Sequence, residues 1–301
     1  MESRSILTDC ASASGSIILP DTILADTTAV VTATISGASA NTINSALGNG
    51  DAADLLTITL DNTASTTVDV NQLDGKTAVN INATAVTQFT GALDNFTTAR
   101  TATTIDMDTD YDAVISGNND ENGVTNLNAI AAETSGTVTA TFINLTAAQA
   151  NNLSTAGTDA ITMTLEAGTT TATVLNSLDG KSSVTIGAQA ITAISGNFAD
   201  IHTARTAAGI TTDTNYDVTV DDTLDENAAT NLNALVGETS GTVTAAISNL
   251  TAAQADNFTT ASTDAITFTL EAGTTTADIL NSLDGKTSVT IGAQAITGIT
   301  D

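Results

Sequence analysis

The tetrapeptide Leu178-Asp179-Gly180-Lys181 occurs three times in this sequence at one spacing. The same four residues stand at Leu73–Lys76 and Leu283–Lys286, so the three lysines are 105 residues apart (181 − 76 and 286 − 181). The flanking sequence repeats as well, because the stretch Ser183–Thr192 returns as Ser288–Thr297. The chain is therefore a tandem array. Arrays of this kind usually serve as scaffolds or binding surfaces and rarely as enzymes.

Alternation of apolar residues with threonine predicts strands at Val31–Ile35, Leu56–Leu60 and Val79–Ile81. The same pattern predicts later strands centred near Val114, Ala140, Met163, Thr185, Val218, Ala245, Phe268 and Thr290. Short segments containing Ala and Leu lie between these strands and predict helices at Ala38–Leu47, Val68–Leu73 and Thr146–Leu153. Thr146 is the expected N-cap of the last of these helices.

A helix between successive strands argues against hairpins and favours parallel pairing with right-handed crossovers. The sequence therefore predicts an α/β repeat fold, a parallel β/α solenoid built on one parallel sheet. Each coil would hold one strand and one short helix in about 22 to 34 residues, with about four coils in each repeat. A doubly wound sheet is the alternative, but it does not explain the strict period.

The repeat also divides the chain. Residues 1–28 do not match it, contain the single proline, Pro20, and are interpreted as an N-terminal cap or attachment segment. Residues 29–301 form the predicted solenoid, with repeats 77–181 and 182–286 and partial repeats 29–76 and 287–301. Because the last partial repeat stops at Asp301, we expect another subunit to cover that coil head to tail, or the natural protein to continue.

The formal net charge is −28, from 34 acidic and 6 basic residues. Such a surface repels phosphates and anionic lipid, so nucleic acid and bare membrane are not expected partners. No apolar run is long enough to span a bilayer, so direct membrane insertion is not expected either. A single cysteine, Cys10, excludes an intrachain disulfide framework. The composition suits a salt-rich extracellular medium, although residues 1–10 lack the apolar core of a signal peptide.

Threonines at alternate positions of the predicted strands suggest a ladder on one sheet face. The expected members are Thr57, Thr59, Thr139, Thr141, Thr162, Thr164, Thr185, Thr219, Thr244, Thr267, Thr269 and Thr290. One interpretation is that threonine is simply a β-branched polar residue suited to an exposed strand. The other is a flat face that binds ice or carbohydrate.

Two acidic turns flank predicted strands and suggest calcium sites, because Ca²⁺ takes six to eight oxygen ligands. The candidate ligands are Asp106, Asp108, Asp110, Asp112 and Asp120 in the first copy, and Asp213, Asn215, Asp217 and Asp225 in the second. Neither turn has the glycine and terminal glutamate of an EF-hand loop. The alternative is a solvated loop in which Asp and Asn act as turn and cap residues.

Catalytic chemistry has little support in the sequence, so we expect no enzyme activity. His202 is the single histidine, and its counterpart in the preceding repeat is Thr97. Cys10 lies far from it in sequence, so neither Cys/His catalysis nor a zinc site is indicated. Lys76, Lys181 and Lys286 follow Asp-Gly turns, which suits a structural role.

Residues 184–210, VTIGAQAITAISGNFADIHTARTAAGI, resemble the tandem repeats of giant cell-surface proteins, adhesin- or S-layer-like, of marine cyanobacteria and related marine bacteria. Similar repeats are familiar from phage fibre proteins. The shared pattern is V-x-x-x-A-x-x-I/V-T-x-I/F-x-G, followed by an Ala/Asp helix and an acidic turn, and the resemblance covers residues 30–301. It implies an extracellular structural or adhesive role without a known active site.

These observations favour a non-enzymatic extracellular protein that associates with itself, head to tail or through a sheet edge, into a filament or surface layer. A glycan or another cell-surface molecule is a candidate partner. A phage virion fibre or decoration protein is one alternative, and an ice- or carbohydrate-binding solenoid is another.

Overall fold

A computed structural model describes Leu24 and residues 30–301, which form an α/β structure of alternating strands and helices. The expected cap or attachment segment, residues 1–28, lies outside the described residues except for Leu24. The strands are β1 Thr32–Ala38, β2 Leu55–Leu60, β3 Ser65–Thr66, β4 Ile81–Ala83, β5 Gln88–Ala92, β6 Ile105–Met107, β7 Asp112–Asn119, β8 Val138–Leu145, β9 Ala160–Leu165, β10 Gly168–Thr171, β11 Ile186–Ala188, β12 Ile191–Gly196, β13 Ile210–Thr212, β14 Asp217–Leu224, β15 Val243–Leu250, β16 Ala265–Leu270, β17 Gly273–Thr276 and β18 Ile296–Thr300. The helices are α1 Ala40–Ala46, α2 Thr67–Asp74, α3 Leu93–Thr101, α4 Val124–Glu133, α5 Ala147–Ala150, α6 Ala172–Asp179, α7 Phe198–Thr206, α8 Ala229–Glu238, α9 Ala252–Ala255 and α10 Ala277–Asp284.

The chain divides into two compact units. Of the described residues, unit 1 contains Leu24, 30–142 and 153–162, and unit 2 contains 143–152 and 163–301. Unit 1 holds the strand order β1-β2-β4-β6 and the order β3-β5-β7-β8. Unit 2 holds the orders β10-β12-β14-β15-β16 and β17-β18, and β11 there pairs with β13 and with Thr164 of β9.

The strand pairs whose register is defined in residues 30–301 are parallel, which confirms the pairing expected from the intervening helices. In unit 1, Thr34 lies opposite Thr57 and Ile35 opposite Ile58. In unit 2, β15 pairs with β16 in parallel, with Ile247 opposite Phe268. This parallel arrangement, not a hairpin, follows because a helix intervenes between the two strands and carries the chain back to its starting edge.

Three expectations about the strands are wrong. The described strands form more than one sheet. Between most successive helices there are two strands instead of one; for example, β9 and β10 both lie between α5 and α6. In several of these pairs the second strand is short and polar; β10, for example, is Gly-Thr-Thr-Thr and carries no alternating apolar signal. Thr185 and Thr290 also lie outside the strands, because Ile186 begins β11, and an isolated bridge at Gly292 is the next pairing after Thr290, before β18.

Each unit buries an apolar stripe of its helices under its strands. In α6 the buried residues are Ala172, Leu175 and Leu178, at the helical spacing of three, and Thr171 caps the helix by accepting a hydrogen bond from the Val174 N–H. A helix of eight residues is not stable alone in water. Burial of each leucine side chain contributes about 1.5–3 kcal/mol, so packing on the strands holds the helix in place.

Buried aspartates connect neighbouring strands in both units. Asp54, Asp159 and Asp264 are nearly inaccessible to solvent and stand 105 residues apart. In unit 2 one carboxylate oxygen of Asp264 accepts the Val243 N–H at 2.9 Å, and the other accepts the Ala261 N–H at 2.7 Å. Each carboxylate thus ties the start of one strand to the turn before the next strand.

The equivalent contacts recur in unit 1. Asp159 accepts the Val138 N–H at 2.8 Å and the Ala156 N–H at 2.8 Å. Asp54 accepts the Val31 N–H at 2.9 Å and the Asp51 N–H at 3.2 Å.

Buried threonine hydroxyls make similar connections between the turn after a helix and the chain segment beside it. The Thr287 hydroxyl accepts the Ile266 N–H at 3.0 Å and donates to the Ile266 carbonyl at 2.7 Å. The Thr239 hydroxyl donates to the Tyr216 carbonyl and accepts the Gly241 N–H at 3.0 Å. Gly241 passes so close to the Tyr216 carbonyl that a Cβ at this position would collide with backbone atoms. This close approach requires glycine.

Replacing Asp264 by alanine is expected to destabilise the protein by about 2–3 kcal/mol, because two buried N–H groups lose their acceptor. Asp264→Asn keeps one acceptor oxygen and should cost about half as much. The measurement is chemical denaturation followed by circular dichroism. The control is Asp221→Ala, at an exposed position of the same unit, which should change stability by less than about 0.5 kcal/mol. Equal effects of the two alanine variants would contradict the role of the buried carboxylate.

Candidate functional site

The structure places the acidic turns at the starts and ends of strands. Asp106 lies in β6, Asp112 begins β7 and Asp217 begins β14, whereas Asp108, Asp110, Asp213 and Asn215 are exposed turn residues between strands. Asp120 and Asp225 lie further along the chain, as N-caps of short 3₁₀ helices.

Most of these carboxylates hydrogen-bond the backbone nearby or on the adjacent strand. Asp120 accepts the Asn122 N–H at 3.0 Å, and Asp225 accepts the Asn227 N–H at 2.9 Å. Asp217 accepts the Thr242 N–H at 2.7 Å, which connects β14 to the residue before β15. These contacts agree with the interpretation of Asp as a turn and cap residue.

Among the described residues, no group of three or more His, Cys, Asp or Glu side chains has a geometry that could hold a metal ion. Calcium binding at the two turns stays a prediction. It is tested by the melting temperature in about 5 mM Ca²⁺ and in chelator, because an ion that binds only the folded state raises it. A melting temperature indifferent to both would contradict the prediction.

Two arginines pair with glutamates of the next helix, and one of them contacts the histidine of its own helix. Arg100 of α3 pairs with Glu133 of α4 at 2.7 Å. Its counterpart in unit 2, Arg205, pairs with Glu238 and lies 3.3 Å from Nδ1 of His202. Cys10 is outside the described residues, so the expected absence of Cys/His chemistry stays an expectation.

Lys286 performs a structural role of the kind expected from its Asp-Gly turn. Its ammonium group donates to the carbonyls of Asp256 and Phe258 at 2.8 and 2.6 Å, after the end of α9. A hydrogen bond from Ser282 and the charge of Lys286 hold the pKa of Asp256 below its ordinary value. A cation at a helix C-terminus also interacts favourably with the helix dipole.

Each unit has one tyrosine beside its Arg–Glu pair. Tyr111 is fully buried, packs edge-on against Phe89 with ring centroids 5.2 Å apart, and leaves its hydroxyl without a hydrogen-bond partner. Burial raises the pKa of Tyr111 to about 12, with Glu133 adding to the rise and Arg100 opposing it. Burial likewise raises the pKa of Tyr216, with Glu238 adding to the rise.

The raised pKa predicts a loss of stability at alkaline pH. Between its ordinary value of 10.0 and about 12, Tyr111 keeps its proton in the folded state and loses it in the unfolded state. The folded state then binds more protons, so the free energy of unfolding falls as pH rises through this window, by about 1.4 kcal/mol per pH unit for this residue.

Tyr111→Phe should reduce this fall in the free energy of unfolding at alkaline pH. The measurement is chemical denaturation at a series of pH values from 9 to 12. At pH 7 the variant should stay within about 1 kcal/mol of the wild type, because it removes a buried hydroxyl that has no partner. A loss of more than about 2 kcal/mol at pH 7 would show that the hydroxyl contributes a stabilising contact.

The predicted threonine ladder is wrong in its membership. Thr164 of β9 lies opposite Gly187, and Thr185 and Thr290 are outside the strands. A different row of hydroxyls exists in unit 2. We define the hydroxyl row as Thr171, Ser195, Thr219 and Thr244, which lie opposite one another on the adjacent strands β10, β12, β14 and β15. Of the predicted members only Thr219 and Thr244 belong to it.

The corresponding positions elsewhere are mostly hydroxyl residues. In unit 1 they are Thr66, Thr90, Val114 and Thr139, and on β17 and β18 they are Thr276 and Thr300. Paired residues of parallel strands point to the same face and repeat about every 4.8 Å. Sequence reasoning missed the row because it depends on the pairing register, although the 105-residue spacing of Thr66, Thr171 and Thr276 was a visible signal.

A groove of about 450 Å³ opens beside the hydroxyl row in unit 2. Residues of β10, β12 and β14 line it together with one residue each from α5 and α6. The lining is Ala148, Thr169, Thr170, Thr171, Val174, Ala193, Ile194, Ser195 and Thr219. No lining side chain carries a charge, so the groove presents hydroxyl and methyl groups and has no general base or acid.

Comparisons with known proteins add no family to this description. No family model matches the sequence, no curated protein matches it, and no solved structure matches it. Among the described residues, no helix has the length and apolarity needed to cross a membrane.

Proposed function

We propose that the chain is a non-enzymatic, extracellular structural or adhesive repeat protein, in which the strands and helices of each unit are coils of a parallel β/α solenoid. The observation that carries the proposal is the recurrence of one set of contacts. The buried carboxylates of Asp54, Asp159 and Asp264 each tie two neighbouring strands, at intervals of 105 residues. Such nearest-neighbour contacts, repeated along the chain, are typical of solenoids.

The spacing of the helices supports about four coils per repeat. Helices α2 and α6 occupy equivalent positions, Thr67–Asp74 and Ala172–Asp179, and three helices lie between them in the chain. Polar contacts between successive helices also recur. Asn71 of α2 donates to the Asn95 carbonyl of α3 at 3.0 Å, and Asn176 of α6 donates to the Asp200 carbonyl of α7 at 3.1 Å.

An extracellular location is supported by the composition. With a net charge of −28 the folded chain repels itself, and high salt shortens the range of that repulsion. The same charge makes anionic partners such as nucleic acid unfavourable and favours neutral partners.

Self-association through a sheet edge is supported by β18. Among the described residues β18 pairs with β17 alone, and Ile299 on this strand is 62% exposed. The equivalent residue Ile194 of β12 is only 5% exposed, and β14 pairs with β12 on the side away from β10. In residues 30–301 this edge of β18 has unpaired backbone groups and an exposed isoleucine, a pattern suited to accept a further strand, and the proposal is that a second molecule supplies it.

Analytical ultracentrifugation of residues 1–301 from about 1 to 100 µM tests this association, because a head-to-tail contact that does not close yields open chains whose length grows with concentration. Ile299→Lys places a charge on the edge and should shift the sedimentation profile towards the monomer. Val68→Lys, an exposed apolar position on α2, is the matched control and should not change it. A monomer at every concentration, or equal effects of the two variants, would contradict the proposal.

A further inference from the structure

We propose that the groove beside the hydroxyl row of unit 2 binds a neutral glycan chain. The inference rests on the adhesive half of the proposed function, for which it names a ligand class, and it does not require self-association. The two are measured by different experiments, so either can fail alone.

The size and shape of the groove suit a short stretch of a polymer. Its volume of about 450 Å³ lies within the range of about 300–1,000 Å³ that is usual for ligand sites. Its floor crosses three adjacent strands, and Ala148 and Val174 from two helices also line it. Because the surface is concave, it can enclose a chain of sugar rings.

The hydroxyls of the floor are available to a ligand. Within residues 30–301, the side chains of Thr169, Ser195 and Thr219 make no hydrogen bond. Thr171 accepts the Val174 N–H at 3.3 Å, which leaves its O–H free to donate. The hydroxyls of other threonines, such as Thr203, donate a hydrogen bond to the backbone of their own helix. Hydroxyls that can both donate and accept match the hydroxyls of a sugar.

Apolar groups alternate with these hydroxyls in the lining. The methyl groups of Ala148, Ala193 and Val174 offer contacts to the C–H faces of pyranose rings. No aromatic side chain lines the groove, so ring stacking is absent and a single site should bind weakly.

The charge selects an uncharged ligand. The lining is neutral, while the chain as a whole carries 34 acidic and 6 basic residues. A glycan with carboxylate or sulfate groups would therefore meet repulsion without a compensating cation in the groove.

The repeat supplies a natural contrast. In unit 1 the residues equivalent to Val174, Ala193 and Thr219 are Asp69, Gln88 and Val114. A carboxylate therefore stands in place of an apolar side chain of the groove wall, and a methyl group stands in place of one hydroxyl. Asp69 there also accepts the Thr66 hydroxyl at 2.6 Å. The glycan site therefore belongs to unit 2, and unit 1 provides the substitutions that should remove it.

The experiment is a titration of ¹⁵N-labelled residues 1–301, followed by amide chemical shifts. The neutral probes are cellohexaose, maltohexaose and mannohexaose, and hexagalacturonate is the anionic probe. At least one neutral probe is expected to shift the amides of Thr169, Ser195 and Thr219, and hexagalacturonate should bind at least about tenfold more weakly.

Two variants test the site directly. Thr219→Val combined with Ser195→Ala should weaken binding by at least about fivefold, because two hydroxyls that hydrogen-bond the ligand are lost. Val174→Asp, which copies unit 1, should weaken it by a similar factor and provides a second test if the double variant is unstable. Thr90→Ala, in the unit 1 row, is the control and should leave binding unchanged.

Three results would overturn the proposal. The first is that none of the neutral probes shifts an amide of unit 2 at a concentration of about 10 mM. A dissociation constant above this concentration would be too weak to matter. The second is equal binding by the wild type and the folded groove variants. The third is that the wild type binds no sugar but shows thermal hysteresis of freezing, and that Thr219→Val abolishes this hysteresis. That result would identify the hydroxyl row as an ice-binding surface.

Discussion

The buried carboxylate bridge is the interaction on which the rest of the structure depends. Parallel strands cannot be held by a short turn, and each must be positioned by contacts made after a helix has intervened. In both units a buried aspartate makes that contact by accepting one N–H from the preceding strand and one from its own turn. Two buried N–H groups are satisfied by one side chain, which fixes the position of one strand against the next.

The bridge also explains how a chain with few aromatic residues can fold. Aromatic side chains make up 3% of the sequence, and the core is built mainly of Ala, Ile, Leu and Val. Thin layers of such residues stabilise each unit only if neighbouring strands stay in register. Buried polar contacts of defined geometry, like those of Asp264 and Thr287, provide that register.

The sequence predicted the alternation of strands and helices, and the parallel pairing, because these follow from periodicity and from the helices between strands. It did not predict short polar strands such as Gly168–Thr171, since these have no apolar residue to alternate. The bridging aspartates could have been found from their 105-residue spacing, but nothing in the sequence marks them as buried. The spacing of Thr66, Thr171 and Thr276 marked one position of the hydroxyl row, but the partners of Ser195 depend on register shifts such as that between Gly168 and Thr169, which the sequence does not show.

The most direct test of the central claim is native-state hydrogen exchange of the Val243 amide, whose proton is donated to the buried Asp264 carboxylate. Val31 and Val138 make the same contact in unit 1 and can be followed in the same spectrum. If the bridges hold the strands in register, these three amides should exchange only through cooperative unfolding of their unit, and should be among the slowest in the protein. Exchange of Val243 as fast as that of an exposed turn would contradict the account.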